Sequence, residues 1–209
     1  YPDRFDDDLI TVLETEEKIC KYLDIPIQHS SDRILRKMGR HTSKSKITSL
    51  INDLRRRIPG IVIRTSLIVG FPGETKDDFE DLLAFVKEMK FERLGVFTYS
   101  KEEGTAAHNM GNHINYKEKV KRQSIIMETQ MDISLKNNKK LVKKELKVLL
   151  EGRGDEGYYG RSYRDAPEVD GIVYLDSNRP LEVGEFYNVL IDEASEYDLY
   201  GECVDEYSK

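Results

Sequence analysis

Cysteine is scarce in this chain, and the two it has, Cys20 and Cys203, stand near opposite ends with no partner at a ligand or disulfide spacing. A locally encoded disulfide framework or thiolate metal site is thereby excluded, and both side chains are read as ordinary part-buried thiols. Long hydrophobic runs are also missing: no stretch approaches the roughly 20 apolar residues that span a bilayer. The opening YPDRFDDDL has neither the basic nor the apolar segment of a secretory leader. These absences point to a cytoplasmic protein with no membrane partner. What is plentiful is charge, at 34% of the 209 residues, beside 38% hydrophobic residues, which is enough for a packed core.

The net charge of -6 conceals an asymmetry. From Leu146 onward there are 6 Lys and Arg against 16 Asp and Glu, a balance of -10, whereas residues 1–145 carry 27 against 23, a balance of +4. Sequence texture changes at the same place. Upstream, short apolar runs alternate with helical patterns; downstream, only strands and turns are written. The expected domains are therefore 1–145, α/β, and 146–209, a small all-β barrel.

In the first part, helices are expected over Asp7–Ile19, Asp32–Met38, Ser45–Ile58 and Lys76–Lys90, and strands over Tyr22–Ile27, Ile61–Val69 and Arg93–Tyr99. Strands alternating with helices imply a parallel sheet. The strand at Ile61 is apolar enough to be covered on both faces. YPDR reads as the tail of an earlier strand and its loop. A long helix follows over Lys117–Lys140. After it, LKVLLEG, YYGRSY, DGIVYLD, FYNVLIDEA and DLYGECV read as five short strands of a closed barrel.

Ligands of parallel α/β folds sit at the carboxyl ends of strands. Three such exits here are polar or glycine-rich and point to one shared pocket. The first carries Gln28, His29, Ser30 and Ser31, although Ser31 or Asp32 could simply cap the next helix. The second is GFPGET, Gly70 to Thr75, whose glycines offer bare N–H groups or else a tight turn capped by Thr75. It lacks the endings of both a P-loop and a dinucleotide loop. The third carries Tyr99, Ser100, Gly104 and Thr105. Arg40 could return to a ligand carboxylate or stay at the surface. His108 and His113 lack the third ligand that a zinc site needs.

Taken in order, LDIPIQHSSDRILRKMGR, IRTSLIVGFPGETKDDFEDLLAFVKE and RLGVFTYSKEEGTAA resemble the second half of the radical S-adenosylmethionine barrel in the methylthiotransferases. The acidic β unit resembles their C-terminal TRAM domain. IPIQHSSD and the F-x-YS-x-EEGT-x-A ending are most similar to the RimO type, which methylthiolates an aspartate of a small-subunit ribosomal protein. The resemblance implies a partial TIM-like radical SAM barrel followed by a TRAM barrel. It implies S-adenosylmethionine as cofactor, with Gly70, Phe71, Pro72, Gly73 and Glu74 beside the adenosine and Ile68 behind them. Val96, Phe97 and Tyr99 would offer backbone to the adenine edge, and Gln28, His29, Arg40 and Thr65 would face the ribose or methionine end.

The resemblance also implies two 4Fe-4S clusters, but no C-x3-C-x2-C loop occurs in these residues. An open-site cluster needs three gathered thiolates. The cluster ligands are thus expected outside this chain, with no catalytic or metal-ligating residue within it, and the chain alone is not expected to cleave S-adenosylmethionine. A barrel at -10 repels a phosphate backbone and attracts a basic protein. A basic ribosomal protein is therefore the expected partner and tRNA the disfavoured one, with Glu193, Glu196 and Asp198 as docking residues. The alternatives are a tRNA adenosine methylthiotransferase and a non-catalytic docking fragment.

Overall fold

The structure, a computed structural model, describes residues 2, 5–155 and 157–204. Of the YPDR segment, Tyr1, Asp3 and Arg4 lie outside the described residues. The chain forms two compact units, the first ending at Gln130 and the second beginning at Met131. This division falls inside a helix, upstream of the boundary at 145/146 that composition suggests.

The first unit runs α1 (Asp7–Thr15), β1 (Tyr22–Asp24), α2 (Asp32–Lys37), α3 (Lys44–Arg57), β2 (Val62–Val69), α4 (Lys76–Met89) and β3 (Arg93–Thr98), and then enters α5 (Tyr116–Lys139). A short 3-10 turn, Ala106–Asn109, interrupts the polar segment before α5. The three strands form a parallel sheet in the order β1-β2-β3. Helix α1 stops earlier than its apolar pattern suggests. The Lys21 ammonium donates to the carbonyls of Leu13, Glu14 and Glu16 at 2.5, 3.2 and 3.2 Å, closing the helix end with a cation where the macrodipole is negative. Strand β1 is also shorter than its apolar run. Beyond Asp24 the Thr65 hydroxyl takes the place of a ladder group: it donates to Ile25 O at 2.8 Å and accepts from Ile27 N at 3.3 Å. Regular pairing is interrupted there and resumes at Gln28, φ 72°, whose N donates to Ser66 O at 2.9 Å and whose O accepts from Ile68 N at 2.8 Å.

β2 is not covered equally on its two faces. Ile63, Thr65, Leu67 and Val69 are fully buried against the helices, while Arg64, Ser66 and Ile68 on the other face are half-buried. A strand's period of two puts these sets on opposite faces, and the register Ile68↔Phe97 places Phe97, exposed, on the open one. The helices bury Ile34, Leu35, Ile47, Leu54, Leu82 and Phe85. Each such side chain contributes about 1.5–3 kcal/mol when fully withdrawn from water.

The second unit contains β4 (Glu145–Gly154), β5 (Gly157–Ser162), β6 (Val173–Asp176), β7 (Phe186–Ala194) and β8 (Leu199–Cys203). They close in the order β4-β5-β6-β8-β7, with β6 and β8 parallel and the other pairs antiparallel. Closure leaves no open edge. Leu146, Val148, Leu150, Val173, Leu175, Val189, Ile191 and Leu199 alternate inward to form the core.

The barrel's tightness can be tested at Gly201, where a Cβ would stand 2.1 Å from Leu190 O. Gly201→Ala is expected to destabilise this unit by about 1–3 kcal/mol, the usual cost of overpacking. Chemical denaturation followed by near-ultraviolet circular dichroism should show an earlier midpoint.

Candidate functional site

The loop between β2 and α4 is built around the carboxylate of Glu74, whose side chain is fully buried. Its Oε2 accepts from Gly70 N at 2.7 Å and from Phe71 N at 3.3 Å, and its Oε1 accepts from Arg122 Nη1 of α5 at 2.6 Å. His29 approaches from the β1 exit, with Nε2 3.7 Å from Oε2. The imidazole Nδ1 accepts from Ser31 N at 2.9 Å, which places the ring proton on Nε2, facing the carboxylate. Burial pushes the Glu74 carboxyl up, but the facing His29 and the Arg122 guanidinium outweigh it and hold the group below its ordinary 4.5. Arg122 is raised in turn: burial lowers it, and its bonds to Glu74 and Glu118 more than offset that.

The remaining donors of the loop are also engaged. Gly73 N donates to Asn112 O at 2.9 Å, Glu74 N donates to Phe71 O at 2.9 Å, and Pro72 has no N–H. The expected bare amides are therefore bonded within the protein, and the loop acts as a rigid wall rather than an anion cradle. Gly70 is required for two reasons. Its φ is +75°, and a Cβ would lie 2.4 Å from Lys119 Cγ. Thr75 caps α4 in a reciprocal box with Asp78, as its alternative reading has it. Ser31 caps α2. Asp78 also accepts from Ser31 Oγ at 2.6 Å and pairs with Arg33. Burial favours its neutral form, yet the bonds from Ser31, Thr75 and Arg33 hold it far below the ordinary carboxylate range.

The three strand exits meet in one cleft of about 470 Å³, a size suited to a small cofactor. Gln28 comes from the first exit and Ile68 and Phe71 from the second; Phe97, Thr98, Tyr99 and Ser100 come from the third. Lys37, Met38, Gly39 and Arg40 follow α2, and Thr105 to Ala107 close the rim. Phe71 and Tyr99 meet edge to face, with centroids 5.2 Å apart, and His113 stacks on Tyr99 at 6.1 Å. Lys119 Nζ donates to Tyr99 O at 2.7 Å and lies 5.0 Å over its ring; burial lowers its pKa. The Tyr99 hydroxyl is buried with no hydrogen-bond partner among the described residues. Burial raises its pKa, as does the charge of Glu102.

Of the residues singled out for a cofactor, Gln28, Arg40, Ile68, Phe71, Phe97 and Tyr99 line the cleft. His29, Thr65 and Glu74 are buried with their polar groups turned to the protein. Gly70, Pro72 and Gly73 are not among the lining residues, and the Val96 carbonyl is occupied by Gln123 Nε2 of α5 at 2.7 Å. Lys37 and Met38 are lining residues that the reading by strand exits missed. Their only signal was a position one helix beyond the first exit, beside Arg40. In the second unit, Glu193 is exposed on β7. Asp198 Oδ1 accepts from Ile172 N at 2.8 Å, and the backbone carbonyl of Glu196, not its carboxylate, accepts from Asn138 Nδ2 at 3.2 Å.

No helix among the described residues is long and apolar enough to cross a membrane. No group of three His, Cys, Asp or Glu side chains among them could hold a metal ion.

Residues 2–86 match the radical SAM superfamily, and residues 142–204 match the TRAM domain. The chain is 52% identical over 202 residues to "Ribosomal protein uS12 methylthiotransferase RimO" of Thermoanaerobacter sp. strain X514, covering 97% of this chain and 46% of that protein. The protein of the same name from Caldanaerobacter subterraneus subsp. tengcongensis is 52% identical with the same coverage. That from Acetivibrio thermocellus is 47% identical over 211 residues, covering 100% of this chain and 47% of the relative. The chain spans about half the length of the curated relatives it matches.

The buried Glu74–Arg122 pair has a measurable consequence. Arg122→Met strands a buried carboxylate and is expected to cost about 3–5 kcal/mol in the first unit. Because Glu74 is depressed in the folded state, its contribution is complete above pH 4.5 or so and is lost as pH falls through the lower folded value. Thermal melts across the acid range should show this loss in the unaltered chain, and a weaker one in Arg122→Met.

Proposed function

The chain belongs to the radical S-adenosylmethionine methylthiotransferases, RimO type, and from that membership we propose that the whole protein attaches a methylthio group to an aspartate of ribosomal protein uS12. The cleft formed by three strand exits is the observation that carries this reading into the structure. Its donor set suits S-adenosylmethionine. Ile68, Phe71 and Phe97, which line the cleft, would offer apolar and aromatic surface to adenine, Gln28 would offer an amide to the ribose, and the cations Lys37 and Arg40 would suit the methionine carboxylate.

When bound beside a cluster, S-adenosylmethionine supplies radical chemistry. This chain's part is to bind, orient and exclude water. The Glu74 carboxylate holds the backbone N–H of Phe71, a lining residue of the cleft, and a wall ordered in advance lowers the cost of ordering the site. Two cysteines cannot furnish three cluster ligands, so the ligands of the expected two 4Fe-4S clusters belong to the portion of the relatives that this chain does not span. Residues 1–145 then serve as the later part of the barrel and 146–209 as the TRAM domain.

The second unit's balance of -10 favours a basic protein over tRNA as substrate and is consistent with a cytoplasmic enzyme. A tRNA adenosine methylthiotransferase needs phosphate contacts from this unit, and its charge opposes them.

The whole protein, with its clusters rebuilt, should add a methylthio group to an aspartate of uS12, read by mass spectrometry of the digested substrate. Modification of tRNA alone would overturn the reading. Phe71→Ala should weaken S-adenosylmethionine binding about tenfold or more, since it deletes an aromatic wall of the cleft. Equilibrium dialysis checks this without turnover.

A further inference from the structure

The outer face of the β6–β8 pair sets two carboxylates in register beside a stacked pair of tyrosines. Val173, Leu175 and Leu199 point into the core, so strand alternation turns Tyr174, Asp176, Tyr200 and Glu202 outward. The parallel register sets Tyr174 against Tyr200 and Asp176 against Glu202. The two tyrosine rings stack with centroids 5.3 Å apart and an interplanar angle of 13°. Directly across from Tyr200, on β7, stands Glu193. Asp176, Glu193 and Glu202 are exposed, and none of their carboxylates has a hydrogen bond or ion pair among the described residues.

Like charges set opposite each other on neighbouring strands destabilise a sheet. Here two carboxylates are registered side by side, next to a stacked aromatic pair that is 37% exposed at Tyr200. The tyrosine stack supports the β6–β8 pairing, but neither the barrel's core nor its closure gains from the paired carboxylates. A cation placed over the rings relieves the repulsion and uses the ring faces as well. An arginine fits better than a lysine, because its planar guanidinium stacks on an aromatic ring and bonds carboxylates in a fork.

We propose that this face, Tyr174 and Tyr200 rimmed by Asp176, Glu193 and Glu202, docks an arginine-bearing segment of a basic protein. The proposal rests on the reading of a protein substrate given above and assigns that substrate's contact surface. It differs from the acidic triad Glu193, Glu196 and Asp198 suggested by composition. Only Glu193 of those three belongs to the face, and Asp198 is bonded to the backbone of Ile172.

The test measures binding of uS12 to the whole protein by titration, at low and high salt. Asp176→Asn with Glu202→Gln, and separately Tyr200→Leu, should each weaken binding about tenfold, within the range of cation–π and paired-charge contacts. The carboxylate variant should melt at the same temperature as the parent or higher, because a repulsion has been removed; a merely structural role predicts a lower one. Glu182→Gln with Glu185→Gln changes the net charge equally at exposed positions off this face and should leave binding within about twofold. Unchanged uS12 binding in the face variants overturns the docking surface while the protein-substrate reading stands. Equal weakening in the control replaces the surface with a general field and also overturns it. Binding of tRNA but not uS12 by the parent overturns both.

Discussion

A carboxylate withdrawn from water must find its compensation within the protein, and Glu74 finds it from three separate parts of the first unit. Its own loop contributes two backbone N–H groups, α5 contributes Arg122, and the β1 exit brings His29 within 3.7 Å. Desolvation alone would neutralise such a group; the partners keep it charged and so keep it in place. Three elements distant in sequence are thereby referenced to one atom group. The loop's curvature, the seat of α5 and the direction of the first exit depend on it together. Phe71 is aimed into the cleft as a result, beside Tyr99.

A site arranged this way separates support from contact. The groups that hold the wall are polar, buried and engaged, whereas the groups that face the cleft are aromatic, aliphatic or cationic. Under the function proposed above this arrangement would have a use: a bulky, charged cofactor must be held in one orientation, and a wall ordered in advance reduces the freedom to be lost on binding. Arg33 and Lys44 extend the same support outward, pairing with Asp78 and Asp81 of α4 so that α2 and the start of α3 are tied to the helix behind the loop.

The second unit follows different physics. Its barrel leaves no open edge, and its stability comes from inward aliphatic side chains and from glycines where strands pass closely. Its outer surface is then free to carry charge. An excess of carboxylates costs some stability through mutual repulsion and is tolerated because the closed core supplies enough to hold them. Asp176 and Glu202, registered beside the stacked tyrosines, make part of that excess a local feature rather than a general field.

Periodicity and turn chemistry were sufficient for much of this protein. Runs of β-branched residues alternating with amphipathic helices, stops at Pro59-Gly60, and five short strands after Leu146 prescribe a parallel sheet and a small barrel, because these signals act within a few residues of the backbone they shape. That the GFPGET loop and the other two exits share one cleft was legible for the same reason. Which of their groups remain available was decided only in three dimensions. Arg122 lies 48 residues beyond Glu74, and Gln123 takes the Val96 carbonyl from 27 residues away. Nothing local to the loop announces either partner. Bare amides in the sequence thus became bonded amides in the fold, His29 and Thr65 turned inward, and Lys37 entered the cleft from the end of α2. Strand register likewise placed Tyr174 beside Tyr200 across 26 residues of chain. Hydrogen bonding to a buried group and cross-strand neighbourhood are properties of packing, and packing is where residues far apart in the chain acquire their roles.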